Sequence, residues 1–332
     1  MSWSCTGPGP PVEMAHRPVE QPGPGQVLVK VKASSLNFHD HVNLMGLIPG
    51  PLPRVPLSDG AGEIVAVGPG VGRLQPGQRV MGAFHPDWLD GPLTPEAKQK
   101  LPGDSEDGWL QQYRVADATG LVRTPDHLSD IEAATVPCAG VTAWSALVEA
   151  DIGEGDVVVT QGTGGVSLFA VQLARALGVT VILTLSSDDK LKVGSDLGAT
   201  HLINYRRTPD WEAEVKRLTG GRGADLVVDL GGPATLAQSM RSTRMGGTVA
   251  VIGVLSGFDL APIPVVELML NNLRVIGITV GSVRTHRDLC EVMSRAGIKP
   301  HISHVFDWER LEEAVGVMRA AAHVGKIALT IP

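Results

Sequence analysis

At 332 residues the chain is longer than one ordinary core, so two domains are expected. Its 43% hydrophobic and 19% charged residues suit a globular protein, while a net charge of -7 without any basic run argues against a nucleic-acid partner. No positive stretch followed by an apolar core opens the chain, and no apolar run is long enough to span a bilayer, so neither a signal peptide nor a membrane helix is expected. Three scattered cysteines, Cys5, Cys138 and Cys290, point to a reducing cytoplasm rather than a disulfide framework.

The first part of the chain is rich in Gly and Pro and carries alternating runs, Gln26–Lys32 and Gly62–Gly68, that read as strands of a mostly antiparallel, barrel-like unit. The stretch from Phe84 to Gly108 has no periodicity and reads as a long loop, functional or mobile. Beyond Thr124 the texture changes. Apolar runs at Val157–Thr160, Val179–Leu185, His201–Asn204, Ala224–Asp229, Gly247–Ile252 and Leu273–Val280 alternate with helical patterns, the first from Val166 to Leu177. Buried runs separated by helices predict an α/β unit with a doubly wound parallel sheet, the Rossmann arrangement. The tail from about Ser282, ending in Lys326–Ile331, is expected to return to the first unit. The expected division is therefore 1–124 with 281–332, and 125–280.

Within the second unit, the first strand runs into Gln161-Gly-Thr-Gly-Gly-Val-Ser167 and then a helix. Gly162, Gly164 and Gly165, with Thr163 and Val166 between and after them, let the backbone turn tightly and approach a pyrophosphate, which the helix N-terminus would attract. The third fingerprint glycine is replaced by Ser167. Where an NAD site usually places a carboxylate, the second strand ends in Ser186 and Ser187, followed by Asp188, Asp189 and Lys190. Two hydroxyls leave room for a 2′-phosphate and Lys190 neutralises it, so NADPH is the expected cofactor and NAD the lesser one. The rival reading makes Asp188 a ribose ligand.

Taken together, Ser35–Asp40, Pro56–Gly62, Val136–Trp144, the Gly162 turn, Leu197–Tyr205 and Gly246–Gly253 resemble the medium-chain dehydrogenase/reductase superfamily, specifically its zinc-free alcohol dehydrogenase-like and quinone or enoyl reductase branches. The resemblance covers nearly the whole chain. It implies a GroES-like, mostly β substrate domain built from both chain ends and a Rossmann domain between them. It also implies cofactor contacts at Thr142, Lys190 and Tyr205, with Gly253, Val254 and Gly281 on segments flanking the nicotinamide.

Zinc-dependent relatives use a Cys, a His and a second Cys or acid. Matched by motif, those positions are Asn37, Ser58 and Cys138, and no four-cysteine cluster stands in the 84–108 loop, so no zinc is expected. An improvised site of Cys138, Asp59 and His39 is the competing possibility. Without a metal, hydrogen-bond donors must stabilise the substrate oxygen as hydride arrives. Asn37 is the candidate amide donor and His39 the candidate proton donor, with Asp59 as electrostatic support. Against these stand plain structural roles, Asn37 holding a turn and His39 facing solvent on a helix. Trp88 and Trp109 either line an apolar pocket or pin the loop.

Three functions stay open at this point: an NADPH-dependent reductase of enones or quinones that also accepts carbonyls, a zinc-free alcohol dehydrogenase, and a cofactor-binding protein without turnover. The partner expected is a small electrophilic substrate. A homodimer is expected through the apolar run Leu273–Val280, an edge that would otherwise invite aggregation.

Overall fold

The computed structural model describes residues 1–6, 12–48, 50–259 and 263–332, with the backbone alone for Asp189 and Leu191. It divides into two units, Met1–Val141 with Val280–Pro332, and Thr142–Thr279. The first boundary therefore falls later than the change of texture at Thr124 suggests. Helix Asp130–Ala133 and the turn Val136–Gly140 pack on the strands Gln26–Leu36 and Asp59–Val67, which draws residues 125–141 into the first unit.

The first unit is built on a seven-stranded sheet. Its centre is Gln26–Leu36, whose inward residues Val27, Val29 and Val31 are fully buried, as period-2 alternation requires. On one side that strand pairs antiparallel with Asp59–Val67, and on the other with Lys326–Thr330, the returning C-terminal strand. Val27, Val29, Val31, Ile64, Trp109 and Leu329 belong to one apolar core. The long loop is as irregular as its sequence, with no helix and no strand between Arg79–Gly82 and Tyr113–Asp117.

The second unit is a six-stranded, all-parallel sheet in the order His201–Asn204, Thr180–Leu185, Val157–Gln161, Ala224–Asp229, Thr243–Val251, Arg274–Gly277. In chain order this is the doubly wound 3-2-1-4-5-6 arrangement, which reverses direction between Val157–Gln161 and Ala224–Asp229. Both of those strands are buried along their whole length, hence their unbroken apolar runs. The last strand is shorter than the run Leu273–Val280 implies, because only Arg274–Gly277 finds a partner. Among the described residues no helix is long and apolar enough to cross a membrane.

Candidate active site

Ligands of doubly wound sheets bind at the carboxyl ends of the strands where the strand order reverses. Here that point is stitched by Gln161, whose Nε2 donates to Ser239 Oγ at 2.8 Å and whose Oε1 accepts from the backbone of Leu230 and Gly231 at 3.2 and 3.1 Å. Gly162 has φ +77°, a left-handed conformation in which a side chain is strained. Gly164 is extended and stands at the N-terminus of the helix Gly165–Ala176, where no side chain caps the free N–H groups. A Cβ built on Gly162 or Gly164 would meet no atom within 4 Å. The protein's own packing thus does not require glycine there, and the open space lies before uncapped donors: a cradle suited to a pyrophosphate. Thr163 is buried between them and Val166 is half-buried in the first turn. Ser167, in place of the third fingerprint glycine, is fully buried and donates to the Gln161 carbonyl at 2.5 Å, tying helix to strand end.

At the end of the second strand, Ser186, Ser187 and Lys190 are half-buried and Tyr205 is exposed, its N–H held by the Leu185 carbonyl at 3.0 Å. Asp188 is engaged on both oxygens, one accepting from Asn204 Nδ2 at 2.7 Å and the other paired with the Arg207 guanidinium. Neither partner stood out in the sequence, though Arg207 closes the run Tyr205-Arg206-Arg207 just beyond the strand. Gly253 is required by close approach, since a Cβ there would lie 2.3 Å from the Leu230 carbonyl oxygen; Val254 follows it, half-buried. Thr142 is buried in the helix Val141–Glu149. Gly281, buried, belongs to the other unit and precedes Ser282, the N-cap of Val283–Ala296.

The proposed catalytic residues meet in the first unit. Asn37 is the N-cap of the helix Phe38–Leu44, and Asp40 accepts from its backbone N–H and from that of Ser58, each at 2.8 Å. The Asn37 side chain donates to Ser58 Oγ at 3.2 Å and accepts from the Lys326 ammonium. The amide expected to stand free for substrate is therefore already spoken for on its oxygen and through one N–H. Asp59 has no exposed surface; one oxygen accepts from Ser35 Oγ at 3.1 Å and lies 3.5 Å from Lys326 Nζ, while Oδ1 has no hydrogen-bond partner. Burial pushes its carboxyl up to about 6, against the pull of Lys326, Asn37 and Ser35. The Cys138 thiol is driven well above the ordinary thiol range, first by desolvation and then by Asp59, and so stays protonated. Among the described residues no three His, Cys, Asp or Glu side chains are grouped to hold a metal ion.

His39 projects from the same short helix, its Nε2 3.5 Å from Asp104 Oδ2, a Coulombic contact rather than a strong hydrogen bond. Burial depresses its pKa, but Asp104, Asp40 and Asp59 outweigh burial and the net shift is upward. Beside it, across the Phe84 ring, His85 is 1% exposed and depressed to about 4, chiefly by burial, so it is neutral at pH 7. Trp109 is a core residue: it is 1% exposed, wedged against Gly60 and Gly82, with the Arg114 guanidinium 5.1 Å from its ring centre. Trp88 pins the loop, its Nε1 donating to the Gly91 carbonyl at 2.8 Å and its carbonyl accepting from Val283 N–H at 2.8 Å. Two members of this region, Lys326 and Asp104, were not singled out in the sequence. Lys326 had one available sign, a cation opening an otherwise apolar strand; Asp104 had none.

Residues 23–126 match the alcohol dehydrogenase GroES-like domain and residues 165–295 the zinc-binding dehydrogenase family, a range that contains none of Asn37, Ser58 and Cys138. A zinc-type alcohol dehydrogenase-like protein of Schizosaccharomyces pombe is 42% identical over 316 residues, covering 93% of this chain and 91% of its own. A candidate alcohol dehydrogenase of Sinorhizobium meliloti superposes with a TM-score of 0.93 at 40% identity, covering 99% and 98% of the two chains. A structure of an NAD-dependent alcohol dehydrogenase superposes at 0.90 with 31% identity, over 100% and 99%. With a cradle for a dinucleotide in one unit and an alcohol dehydrogenase GroES-like domain in the other, the chain belongs to the medium-chain dehydrogenase/reductase superfamily of oxidoreductases.

Proposed function

We propose that this protein is an NADPH-dependent, zinc-independent reductase of activated C=C bonds, enones or quinones, which also accepts carbonyls. What carries the proposal is the replacement at two of the three positions where zinc relatives hold their ligands: Asn37 and Ser58 are poor zinc donors, and they bond to each other instead. Conjugated electrophiles need less polarisation than simple ketones, so a site whose donors are side chains suits them. When bound, the nicotinamide supplies the hydride. Gly162, Thr163, Gly164, Gly165 and Val166 would hold the pyrophosphate, with Thr142, Gly253, Val254 and Gly281 toward the nicotinamide end. His39, backed by Asp104, is the proton donor; Asn37 and Asp59 form the polar floor.

Several features support NADPH over NADH. Asp188 is engaged by Asn204 and by one arm of the Arg207 guanidinium, and the other donors of Arg207, with Ser186, Ser187, Tyr205 and Lys190, make a hydroxyl-rich, cationic surround for a 2′-phosphate. Lys190→Ala and Arg207→Ala should each weaken binding of NADPH far more than of NADH in fluorescence titration; equal losses would refute that surround.

A second reading, an alcohol dehydrogenase acting on C–OH and C=O, is favoured by the names of the similar proteins. Product analysis with a cyclic enone and NADPH separates the two. A saturated ketone supports the first, an allylic alcohol the second, and neither product despite tight NADPH binding would indicate a protein without turnover. Activity should survive a chelator; loss restored by Zn²⁺ would overturn the metal-free mechanism.

The exposed Val265, Val266, Met269 and Leu270 beside the edge strand Arg274–Gly277 support a homodimer through this face. Met269→Glu should yield monomers in light-scattering chromatography, whereas a wild-type monomer would dispose of the idea.

A further inference from the structure

Lys326 is 3% exposed, deeper than a lysine ordinarily sits. The antiparallel register of Lys326–Thr330 on Gln26–Leu36 pairs Ile327 with Leu36, which sets Lys326 alongside Asn37. Before it, Gly325 has φ +74° and no room for a Cβ, which would lie 2.1 Å from the His301 carbonyl oxygen, so the turn delivering the lysine requires glycine. Its ammonium donates to the Leu36 carbonyl at 2.9 Å and to Asn37 Oδ1, and lies 3.5 Å from Asp59 Oδ2. An ammonium has three protons and accepts nothing, and three oxygens surround this one.

This fixes the direction of a hydrogen-bond chain. Because Lys326 can only donate, Asn37 must present its oxygen to it and its Nδ2 to Ser58. Ser58 Oγ then accepts from Asn37, and its own proton is left for another acceptor. The desolvation cost of so buried a charge is large unless it is paired, and Asp59 is the paired carboxylate.

We infer that Lys326 is the resident cation of this site: bonded to Asn37 and set beside Asp59, it balances the buried carboxylate and orients the Asn37 amide, and through that amide Ser58. It acts through those neighbours, as a positioning residue. The inference rests on the proposed reductase for its catalytic consequence and on geometry alone for its electrostatic one, and the test separates them.

Three variants are needed, Lys326→Met, Asp59→Asn and the double, each read by melting temperature at pH 5.5 and pH 8 and by kcat and KM. Asp59 faces Lys326, Asp40, Cys138 and His39, and it takes up a proton as pH falls. Lys326→Met should therefore lose more melting temperature at pH 8 than at pH 5.5, and the added Asp59→Asn should restore most of the loss. In the Asp59→Asn background, removing Lys326 should still cost about tenfold in kcat, with KM for NADPH unchanged, because the Asn37 amide is no longer held. If Lys326→Met costs no turnover in that background, the lysine merely neutralises Asp59 and the inference falls. If the wild type binds NADPH but reduces no acceptor, the reductase proposal fails on its own, and the thermal arm decides alone: equal losses at both pH values would refute the pairing.

Discussion

The pyrophosphate cradle and the Lys326 cluster are assembled in opposite ways. The cradle is seven consecutive residues, Gln161–Ser167, of which Gly162 and Gly164 face open space. The cluster draws Asn37, the adjacent Ser58 and Asp59, and Lys326 from three segments, two of them nearly the whole chain apart, and every member is buried. One is a shape left empty for a ligand; the other is a buried knot of polar groups bonded to one another. Changes to the first should strike binding and spare folding, and changes to close-packed positions should do the reverse.

The largest effect is expected at Gly164. Its φ of -74° suits any residue and a Cβ there touches no protein atom within 4 Å, so Gly164→Val should fold, with a melting temperature within a few degrees of wild type. The isopropyl group would occupy the cradle and weaken NADPH binding about 100-fold, ~2.7 kcal/mol. Titration beside a thermal melt checks this, and a large loss of melting temperature with binding intact would break the contrast.

Gly82 is the opposite case. A Cβ there would lie 2.0 Å from Trp109 Cζ2, in a ring that is 1% exposed and covered by Arg114. Gly82→Ala should cost about 1–3 kcal/mol from overpacking, read as a lower urea midpoint, while the NADPH affinity of the folded fraction stays at the wild-type value. An unchanged midpoint would mean that this sheet yields more readily than its packing implies.

This division also explains what could be read from the sequence. The parallel sheet was legible because each buried strand is one apolar run, Val157–Gln161 and Ala224–Asp229 above all. The cradle was legible because its chemistry needs adjacent glycines. Asn37 and Asp59 could be named from motifs, but what they touch could not. The Asn37 amide is bound by a lysine 289 positions away, through a strand pairing that local pattern does not encode. The Trp109 and Trp88 alternatives likewise turned on packing: one tryptophan is core and the other ties the loop to Val283. The domain boundary slipped because residues 125–141 change texture before they leave the first unit.

The smallest effect expected is at Asp104, where the contact with His39 is 3.5 Å. His39 is raised above its ordinary 6.5, with burial opposing and Asp104, Asp40 and Asp59 prevailing. A group raised in the folded state contributes stability that is fully present below its unfolded pKa and lost as pH rises through the folded one. The same protonated form is the one that can donate a proton during reduction, so kcat/KM should fall on the alkaline side as His39 deprotonates. Asp104→Asn removes the carboxylate that raises His39 most and leaves burial in place, so the alkaline limb should move to lower pH with little change in its plateau. His39→Gln should abolish the limb and lower the plateau as well. A pH–rate profile of Asp104→Asn that superposes on wild type would mean that Asp40 and Asp59 alone hold His39 up and that the 3.5 Å contact adds nothing, whereas a limb that survives in His39→Gln would remove His39 from the reaction.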